Sequence, residues 1–322
     1  MNSLMILDSG SRVPLINNFI KESKKYDKQV KVIAADCDLT AAALYVANEK
    51  VILPKTNEKT YIKELVNECK KRNVKMIIPL FEDDLLQVSK NKNILEKEGI
   101  KCLVSDYKTI ALCQDKKKMN EYLKQQDYPN IETVQSINDF KKYINRFPVI
   151  LKRKNGAGSI GKHIVETEEE LIKYFNLYED YIIQPVIKGK EIGVDVYVDM
   201  ISHKVTSIFA KEKILMKNGE TNKSISIKDY KLFKFIKEFV EKLNFVGPID
   251  IDLFEYNNEY FIFDVNPRFG GGYLHAHECN VKFTNMILNN FLGIENKENI
   301  GEYDSGIMMM KYSDVKIIDT KK

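Results

Sequence analysis

Over its first hundred residues the chain alternates between short apolar runs and amphipathic helical patterns. The apolar runs are LMILD, VKVIAAD, VKMIIPL and IKCLVS, and helical stretches such as YIKELVNECKKRN separate them. Apolar strands that alternate with helices in this way favour an open parallel sheet with helices on its faces. We therefore predict an α/β N-terminal domain over residues 1–109.

A ligand crevice is expected where the parallel strands end. Asp8-Ser9-Gly10, Asp36 and Glu82-Asp83-Asp84 follow predicted strands and would lie at this edge. The turn DSGSRV imitates a dinucleotide-binding turn but has one glycine where that fingerprint needs three. We therefore assign no nicotinamide cofactor. Glu82 is a candidate contact to an amine substrate, or simply a cap of the helix that follows.

Beyond residue 110 the strands come in pairs. A helix is predicted over residues 107–126, and the clearest later pair is 250–256 with 259–265. This half favours α+β structure with antiparallel sheets. We predict two further units, a small lobe over residues 110–190 and a large lobe over residues 191–322.

A glycine-rich segment, GAGSIGKH, runs from Gly156 to His163. It almost matches a P-loop, but His163 lacks the hydroxyl that a P-loop offers to Mg²⁺, and a β-branched stretch follows where a helix would begin. We interpret it as a turn between two strands whose backbone N–H groups can lie over phosphates. A plain flexible turn is the alternative. The candidate nucleotide contacts here are Gly156, Gly158, Ser159 and Gly161.

Two lysines and an interrupted strand flank this segment. Lys116 and Lys152 suit point contacts to phosphate oxygens, although each alone is more simply a surface lysine. The run YIIQPVIKGKE stops its strand at Pro185, which can expose backbone groups to an adenine edge. Glu191 can then accept hydrogen bonds from ribose hydroxyls. An ordinary strand end is the alternative.

The last predicted hairpin concentrates oxygen ligands on alternate positions. Asp250 and Asp252 share one strand face, as do Asp264 and Asn266. Carboxylates gathered in one place repel unless a cation lies between them, and oxygen-only ligands favour Mg²⁺ or Mn²⁺ over zinc. Arg268 can pair with a phosphate or a developing anion. A solvated acidic hairpin is the alternative, which the apolar residues between the acids disfavour.

The order of these motifs resembles the ATP-grasp superfamily over about residues 110 to 300. The order is Lys116, FPVILKRKNGAGSIG, QPVIKGKE and DID…FDVNPR, and the parallel-sheet domain resembles the domain that usually precedes it. The segment NPRFGGGYLHAHECNVKF is most similar to stand-alone relatives of the carbamoyl-phosphate synthase large subunit, which include amino-acid ligases and the ligase of pyrrolysine biosynthesis. The resemblance implies an ATP- and Mg²⁺-dependent ligase that joins a carboxylate to an amine through an acyl phosphate.

The resemblance also implies which residues bind the nucleotide. Lys116 and Lys152 would hold the phosphates, and the loop at 155–161 would close over them. The segment from Gln184 to Val186, with Pro185 between them, would form the adenine hinge, and Glu191 would bind ribose. Gln184 departs from the pattern, because many relatives have an acid there.

A second implied set concerns the metal and the chemistry. Asp252, Asp264 and Asn266 would hold Mg²⁺ or Mn²⁺, while Lys211 would reach the phosphates and Arg268 the acyl phosphate. Asp264 departs from the pattern, because the second metal acid is commonly the longer Glu. Whether Asp250 also binds the metal is left open.

The acceptor pocket is the least defined part of the site. Gly271, His275 and His277 follow the arginine and are candidates to line it, and histidine is a plausible proton carrier near neutral pH. Structural or surface histidines are the alternative.

The composition of the chain argues against some classes of binding partner. The 50 basic and 46 acidic side chains of the 322 residues leave a net charge of +4, spread along the chain, which argues against nucleic acid. No apolar run approaches the roughly 18 residues of a membrane span. Five scattered cysteines without a C-x-x-C spacing predict reduced thiols in a cytoplasmic protein. We expect small-molecule carboxylate and amine substrates, with a homodimer left open. A bicarbonate-using carboxylase and a non-catalytic ATP-binding regulator are the alternatives.

Overall fold

The computed structural model describes residues 2–26, 30–155, 161–177 and 179–319. The strands of the first sheet are β1 (Asn2–Leu7), β2 (Val30–Asp36), β3 (Glu49–Ile52), β4 (Val74–Pro79) and β5 (Lys101–Cys102). Its helices are α1 (Val13–Ser23), α2 (Tyr61–Lys71), α3 (Glu82–Lys90) and α4 (Lys92–Lys97). The strand order is β3-β2-β1-β4-β5 and every pair is parallel, which confirms the predicted open sheet.

The first sheet is buried on both faces because helices cover both. Its central strands are therefore almost wholly apolar, and Leu4, Met5 and Ile6 of β1 have no exposed surface. The strand order changes direction between β1 and β4, and a ligand crevice is expected at such a point. Asp8 and Glu82 follow these two strands, so the predicted edge carries the predicted polar residues.

The single helix predicted over residues 107–126 is wrong. The structure has two helices, α5 (Tyr107–Gln114) and α6 (Lys116–Gln125), separated by Asp115. Asp115 leaves the helical conformation, and its carboxylate accepts the backbone N–H of Lys117 at 3.1 Å as the cap of α6. The break makes Lys116 the first residue of a helix.

A small three-stranded sheet follows, with α7 (Ile137–Asp139), β6 (Val149–Arg153), β7 (His163–Val165), α8 (Glu168–Phe175) and β8 (Tyr181–Pro185). Its order is β7-β6-β8 and its pairs are antiparallel. Since Leu151 pairs with His163, the glycine-rich segment joins two antiparallel strands, as predicted, and does not open a helix. Thr167 caps α8 by accepting the N–H of Glu170 at 3.2 Å.

The large sheet has six strands, β9 (Lys190–Val198), β10 (Val205–Lys217), β11 (Glu220–Ile227), β12 (Gly247–Tyr256), β13 (Glu259–Asn266) and β14 (Met308–Met310). Its helices are α9 (Tyr230–Glu241), α10 (Leu274–Glu278) and α11 (Phe283–Phe291). The order is β13-β12-β9-β10-β11-β14 with antiparallel pairing, which confirms the predicted pair 250–256 with 259–265. The division of the chain at residues 109 and 190 stays a prediction.

The first sheet and the large sheet share one apolar core. Phe19 of α1 meets Phe269, just after β13, edge to face with ring centroids 6.2 Å apart. The Tyr26 hydroxyl donates to Asn289 of α11 at 2.7 Å. This packing holds the strand ends of the first sheet over the end of β13. Within the described ranges, every helix is too short or too polar to cross a bilayer.

Candidate active site

The β12–β13 hairpin brings the predicted oxygen ligands together. Asp252 is the cross-strand partner of Asp264, and Asp250 is the partner of Asn266. Directly opposed side chains in an antiparallel pair lie roughly 4.5–5.5 Å apart at Cβ. The two carboxylates of the first pair therefore project side by side from one end of the hairpin.

Lys116 joins this pair from the start of α6. Its Nζ lies 3.3 Å from Asp264 Oδ1, and the Asn266 amide donates to Asp264 Oδ2 at 3.2 Å. Burial acts to raise the pKa of Asp264, but Lys116 and the Asn266 amide outweigh it, and the pKa lies below its usual range. Asp264 is therefore ionised at neutral pH, next to a lysine that sequence reasoning placed in the site.

Lys213 joins the other side of the pair, and sequence reasoning missed it. Its Nζ lies 2.6 Å from Asp252 Oδ1 and 3.1 Å from Glu191 Oε1. Burial acts to lower the pKa of Lys213, yet Asp252 and Glu191 raise it above its ordinary value. A signal was present at Gly193, where a Cβ would lie 3.0 Å from Lys213 Cε. A glycine inside a strand often marks such a close approach.

Lys211 lies across Gly193 from Asp252, and its ion pair is with a different acid. It is 1% exposed and forms a buried ion pair with Asp195, which is equally buried. Burial raises the pKa of Asp195, and Lys211 opposes that rise. Lys211 thus forms its ion pair with Asp195, while Lys213, two residues further along β10, contacts Asp252. The phosphate contact at Lys211 stays a prediction.

The donor set fits a divalent cation whose coordination is completed by phosphate oxygens. Mg²⁺ is usually held by one or two carboxylates together with substrate phosphates. In the described ranges, no group of three or more His, Cys, Asp or Glu side chains is arranged to hold a metal. Asp252 and Asp264 supply two carboxylates, and Asn266 Oδ1 accepts no hydrogen bond from a described residue. Burial and the neighbouring carboxylates raise the pKa of Asp252 against the pull of Lys213, so extra positive charge is favoured here.

Arg268 lies at the end of β13 and links it to the first sheet. Its Nη2 is 2.8 Å from Glu82 Oε1, and its Nη1 is 3.4 Å from Asp250 Oδ2. Burial acts to lower the pKa of Arg268, and Glu82 and Asp250 raise it further than burial lowers it. The predicted anion-binding arginine and the predicted amine contact thus meet directly.

Lys152 lies on β6 with its Nζ 4.8 Å from the centre of the Phe263 ring. Burial, together with the nearby cation of Lys162, lowers the pKa of Lys152 to about 8. Asp264 opposes this shift and Lys116 adds to it, so Lys152 belongs to the same electrostatic cluster. A desolvated lysine of this kind gains from an anion that approaches it.

The side chains of the predicted adenine hinge, residues 184–186, take part in the packing and pairing of the small sheet. Gln184 is buried, and its amide donates to Thr133 Oγ1 at 2.8 Å. The backbone N–H of Val186 donates to Pro148 O at 3.2 Å. Pro185 pairs with Val149 as the last residue of β8. Among the glycine-loop residues, Gly161 has φ +74°, while Gly156, Gly158 and Ser159 lie outside the described residues.

The two histidines are not brought to the metal cluster. His275 is 2% exposed; one ring nitrogen lies 2.8 Å from Ser224 Oγ and the other 3.0 Å from Ile307 O. Burial and the Lys211 cation lower the pKa of His275 to about 4. His277 is also buried, and burial lowers its pKa. Both positions fit the structural alternative.

A cleft of about 220 Å³ opens between the first sheet and the end of β13. Its charged lining comes from Glu82, Asp83, Lys116, Asp264 and Arg268. A separate cavity of about 260 Å³ lies at the strand ends of the first sheet. The cleft therefore adjoins Asp264 of the carboxylate pair, the arginine and two acids of α3.

Comparison with known proteins agrees with this arrangement. Residues 4–103 match the family model for a PylC-like N-terminal domain, and residues 113–272 match that for an ATP-grasp domain. A carbamoyl phosphate synthase large chain from Clostridium botulinum is 24% identical over 267 residues, which span 77% of this chain and 24% of that protein. The chain thus spans about a quarter of that relative's length.

Solved structures share the fold. The biotin carboxylase domain of a 2-oxoglutarate carboxylase from Hydrogenobacter thermophilus, solved with MgADP and bicarbonate, has a TM-score of 0.74 at 15% identity, covering 95% of this chain and 73% of that one. An L-amino acid ligase from Bacillus licheniformis has a TM-score of 0.69 at 18% identity, covering 92% and 75%. The two family models span most of the sequence in the expected order. The chain therefore belongs to the ATP-grasp family, with a PylC-like N-terminal domain ahead of its ATP-grasp domain.

Proposed function

We propose that this protein is an ATP- and Mg²⁺-dependent ligase that joins a small-molecule carboxylate to an amine through an acyl phosphate. The observation that carries the proposal is the pair Asp252–Asp264, which has Lys213 on one side and Lys116 on the other. Arg268 lies at the end of the same hairpin. Acids flanked by several cations suit a metal-bound triphosphate, where catalysis consists of positioning and charge stabilisation.

In the proposed first step, a carboxylate oxygen of the substrate attacks the γ-phosphorus of ATP. The bond from that phosphorus to the β–γ bridging oxygen breaks, and ADP leaves. Lys116, Lys152 and Lys213 would stabilise the charge on the transferring group. Asp252, Asp264 and Asn266 would hold Mg²⁺ or Mn²⁺, which would neutralise part of the phosphate charge when bound.

In the proposed second step, the amine attacks the acyl carbon. Phosphate leaves, the amine loses a proton, and a C–N bond forms. Arg268 would bind the acyl phosphate, and its contact with Glu82 brings the first acid of α3 to the place where an amine would arrive. No protein nucleophile takes part in either step.

The nucleotide base would bind at the backbone of residues 184–186. The Gln184 side chain is occupied by Thr133 and the Val186 N–H by Pro148 O, so base contacts would come from main-chain carbonyl oxygens of this segment. Glu191 shares Lys213 with Asp252, which links the proposed ribose contact to the proposed phosphate contacts. The glycine-rich loop would close over the phosphates.

The role of Lys152 predicts a pH dependence of ATP binding. Its pKa is lowered to about 8, so the side chain is cationic below pH 8 and loses its charge above it. If the cation contacts phosphate, the Kd for ATP should rise about tenfold between pH 7 and pH 9, one proton for each ATP bound. The measurement is equilibrium binding of a fluorescent ATP analogue across this pH range, without an acceptor substrate.

Two variants serve as controls for this pH effect. Lys152→Arg keeps its charge throughout the range and should bind with a nearly constant Kd. Lys152→Met should bind ATP more weakly than wild type at pH 7, and its Kd should change less between pH 7 and pH 9. A wild-type Kd that stays constant from pH 7 to pH 9 would contradict a phosphate contact at Lys152.

The function is tested by identifying the nucleotide product. The protein is incubated with ATP, Mg²⁺ and pools of amino acids and small carboxylates, with hydroxylamine as a trap for acyl phosphates. ADP, phosphate and a hydroxamate are the expected products, and splitting the pools identifies the carboxylate. AMP with pyrophosphate would mean an adenylating enzyme and would overturn the mechanism.

A bicarbonate-using carboxylase is the second candidate, because the biotin carboxylase domain above shares the fold. Bicarbonate-dependent ADP release in the absence of any organic carboxylate would favour it. ATP binding without turnover in any pool would favour a regulator. The cytoplasmic location and a homodimer stay predictions.

A further inference from the structure

An arginine between β1 and α1 lies near the acceptor side of the proposed site. Arg12 directly precedes α1, and its Nη2 lies 3.4 Å from Oε1 of Glu220, the first residue of β11. Its side chain is 28% exposed, yet no hydrogen bond joins its guanidinium to a described residue. A guanidinium has five N–H donors arranged to match a carboxylate. Arg12 therefore has donors to spare at a half-buried position.

The charges around Arg12 are those of the proposed site. Burial lowers the pKa of Arg12; Glu220 opposes this, and the nearby Arg268 adds to the lowering. Asp250 and Glu82 also act on Arg12. Arg12 and Arg268 thus lie among three carboxylates. Asp250 and Glu82 pair with Arg268, and Glu220 pairs with Arg12.

The glycines at 270 and 271 pass between Asp250 and Glu220 and place no side chain between them. A Cβ on Gly271 would lie 2.8 Å from Glu220 Cδ, and a Cβ on Gly270 would lie 2.4 Å from Asp250 Oδ1. The backbone therefore passes close to both carboxylates. Any larger residue here would push Glu220 or Asp250 out of its present position.

Glu220 is a charged carboxylate held by two cations. Lys311 Nζ lies 2.7 Å from Glu220 Oε2, and Arg12 lies near the other oxygen. Burial acts to raise the pKa of Glu220, but Lys311 and Arg12 lower it below its usual range. Glu220 thus shows that a carboxylate fits beside Arg12. If another carboxylate binds Arg12 instead, Glu220 can keep its ion pair with Lys311.

We propose that Arg12 binds the free carboxylate of an α-amino acid that serves as the amine substrate, and that Glu220 occupies this place when the substrate is absent. The proposal rests on the proposed ligase function. The amino group of the bound amino acid faces Asp250 and Glu82, beside Arg268. The carboxylates around the site disfavour a second negative charge, so a zwitterion fits better than a dicarboxylate.

The test compares two substitutions with opposite expected effects. Arg12→Met should raise the KM for the amino acid about 10- to 100-fold, because a charge-assisted contact is lost, and leave the KM for ATP unchanged. Glu220→Gln should lower the KM for the amino acid, because it weakens an internal competitor. A merely structural ion pair would move both variants in the same direction. Lys237→Met, which breaks the ion pair with Glu298, is the control and should change neither KM.

Substrate analogues provide the second arm. Wild type should prefer the free acid to the amino acid amide by a similar 10- to 100-fold, and Arg12→Met should lose this preference. Equal use of acid and amide by wild type would overturn the proposal. The proposal would also be overturned if Arg12→Met affected turnover only when the acyl-donating substrate is a dicarboxylate. Arg12 would then bind a carboxylate of that substrate and not of the amino acid.

A third arm separates this proposal from the ligase function. The rate of Arg12 modification by phenylglyoxal is followed by peptide mass spectrometry without ATP, with pooled L-α-amino acids or their amides as probes. Protection by the acids alone supports the subsite even if no ADP forms in the turnover test. Equal rates with both pools would overturn the subsite even if ADP does form.

Discussion

Asp252→Asn is expected to lower kcat for ADP formation by about 10³-fold. The substitution keeps the shape of the side chain but removes one of two carboxylates that would hold the metal. It also leaves Lys213 with Glu191 as its remaining acid partner. The assay is ADP release at saturating ATP and Mg²⁺ with the substrates found in the pools.

Glu255→Gln on the same strand is the matched control. Glu255 pairs with Tyr260 in the register of the hairpin, outside the cluster of cations, and its variant should keep wild-type turnover. Circular dichroism and urea unfolding would show that both variants are folded. If Asp252→Asn keeps more than about a tenth of the wild-type rate, the carboxylate pair does not hold the catalytic metal.

The second large effect separates two lysines of β10. Lys211→Met should lower the free energy of unfolding by about 3–5 kcal/mol, because it leaves the carboxyl group of Asp195 buried without its partner. Lys213→Met should have a smaller effect on stability and lower kcat/KM about 10²-fold or more, because it removes a cation from the phosphate site. Urea unfolding and ADP release are measured on both variants.

A double substitution makes the comparison decisive. Lys211→Met combined with Asp195→Leu removes both buried charges and should recover most of the lost stability, since apolar residues often replace such pairs without cost. The opposite assignment predicts that Lys211→Met stays stable and loses turnover while Lys213→Met remains active. That pattern would return the phosphate contact to Lys211.

Local sequence patterns were sufficient to predict the strands that carry the site. The apolar runs of the first sheet and the alternation of acids with apolar residues in β12 and β13 specify strands directly, because period-two patterns are local properties. The break at Asp115 was missed because an aspartate between two amphipathic stretches fits a helix interior and an N-cap alike in composition. Strand β14 has only three residues, Met308–Met310, which are too few for a periodic signal.

The unpredicted parts of the site depend on register between distant segments. Lys211 and Lys213 are two apart on one strand, and nothing local indicates which of them meets Asp252. The choice follows from the buried Asp195, which forms an ion pair with Lys211 and leaves Lys213 to contact Asp252. Arg12 was missed for a similar reason, because Glu220 lies more than 200 positions away in the sequence.

The most direct test of the central claim follows an oxygen atom. The carboxylate substrate identified from the pools is labelled with ¹⁸O in its carboxyl group, and the products are analysed by mass spectrometry. Transfer through an acyl phosphate predicts one ¹⁸O in the released phosphate and none in ADP. Label in AMP, or phosphate that carries no label while the product forms, would contradict the account.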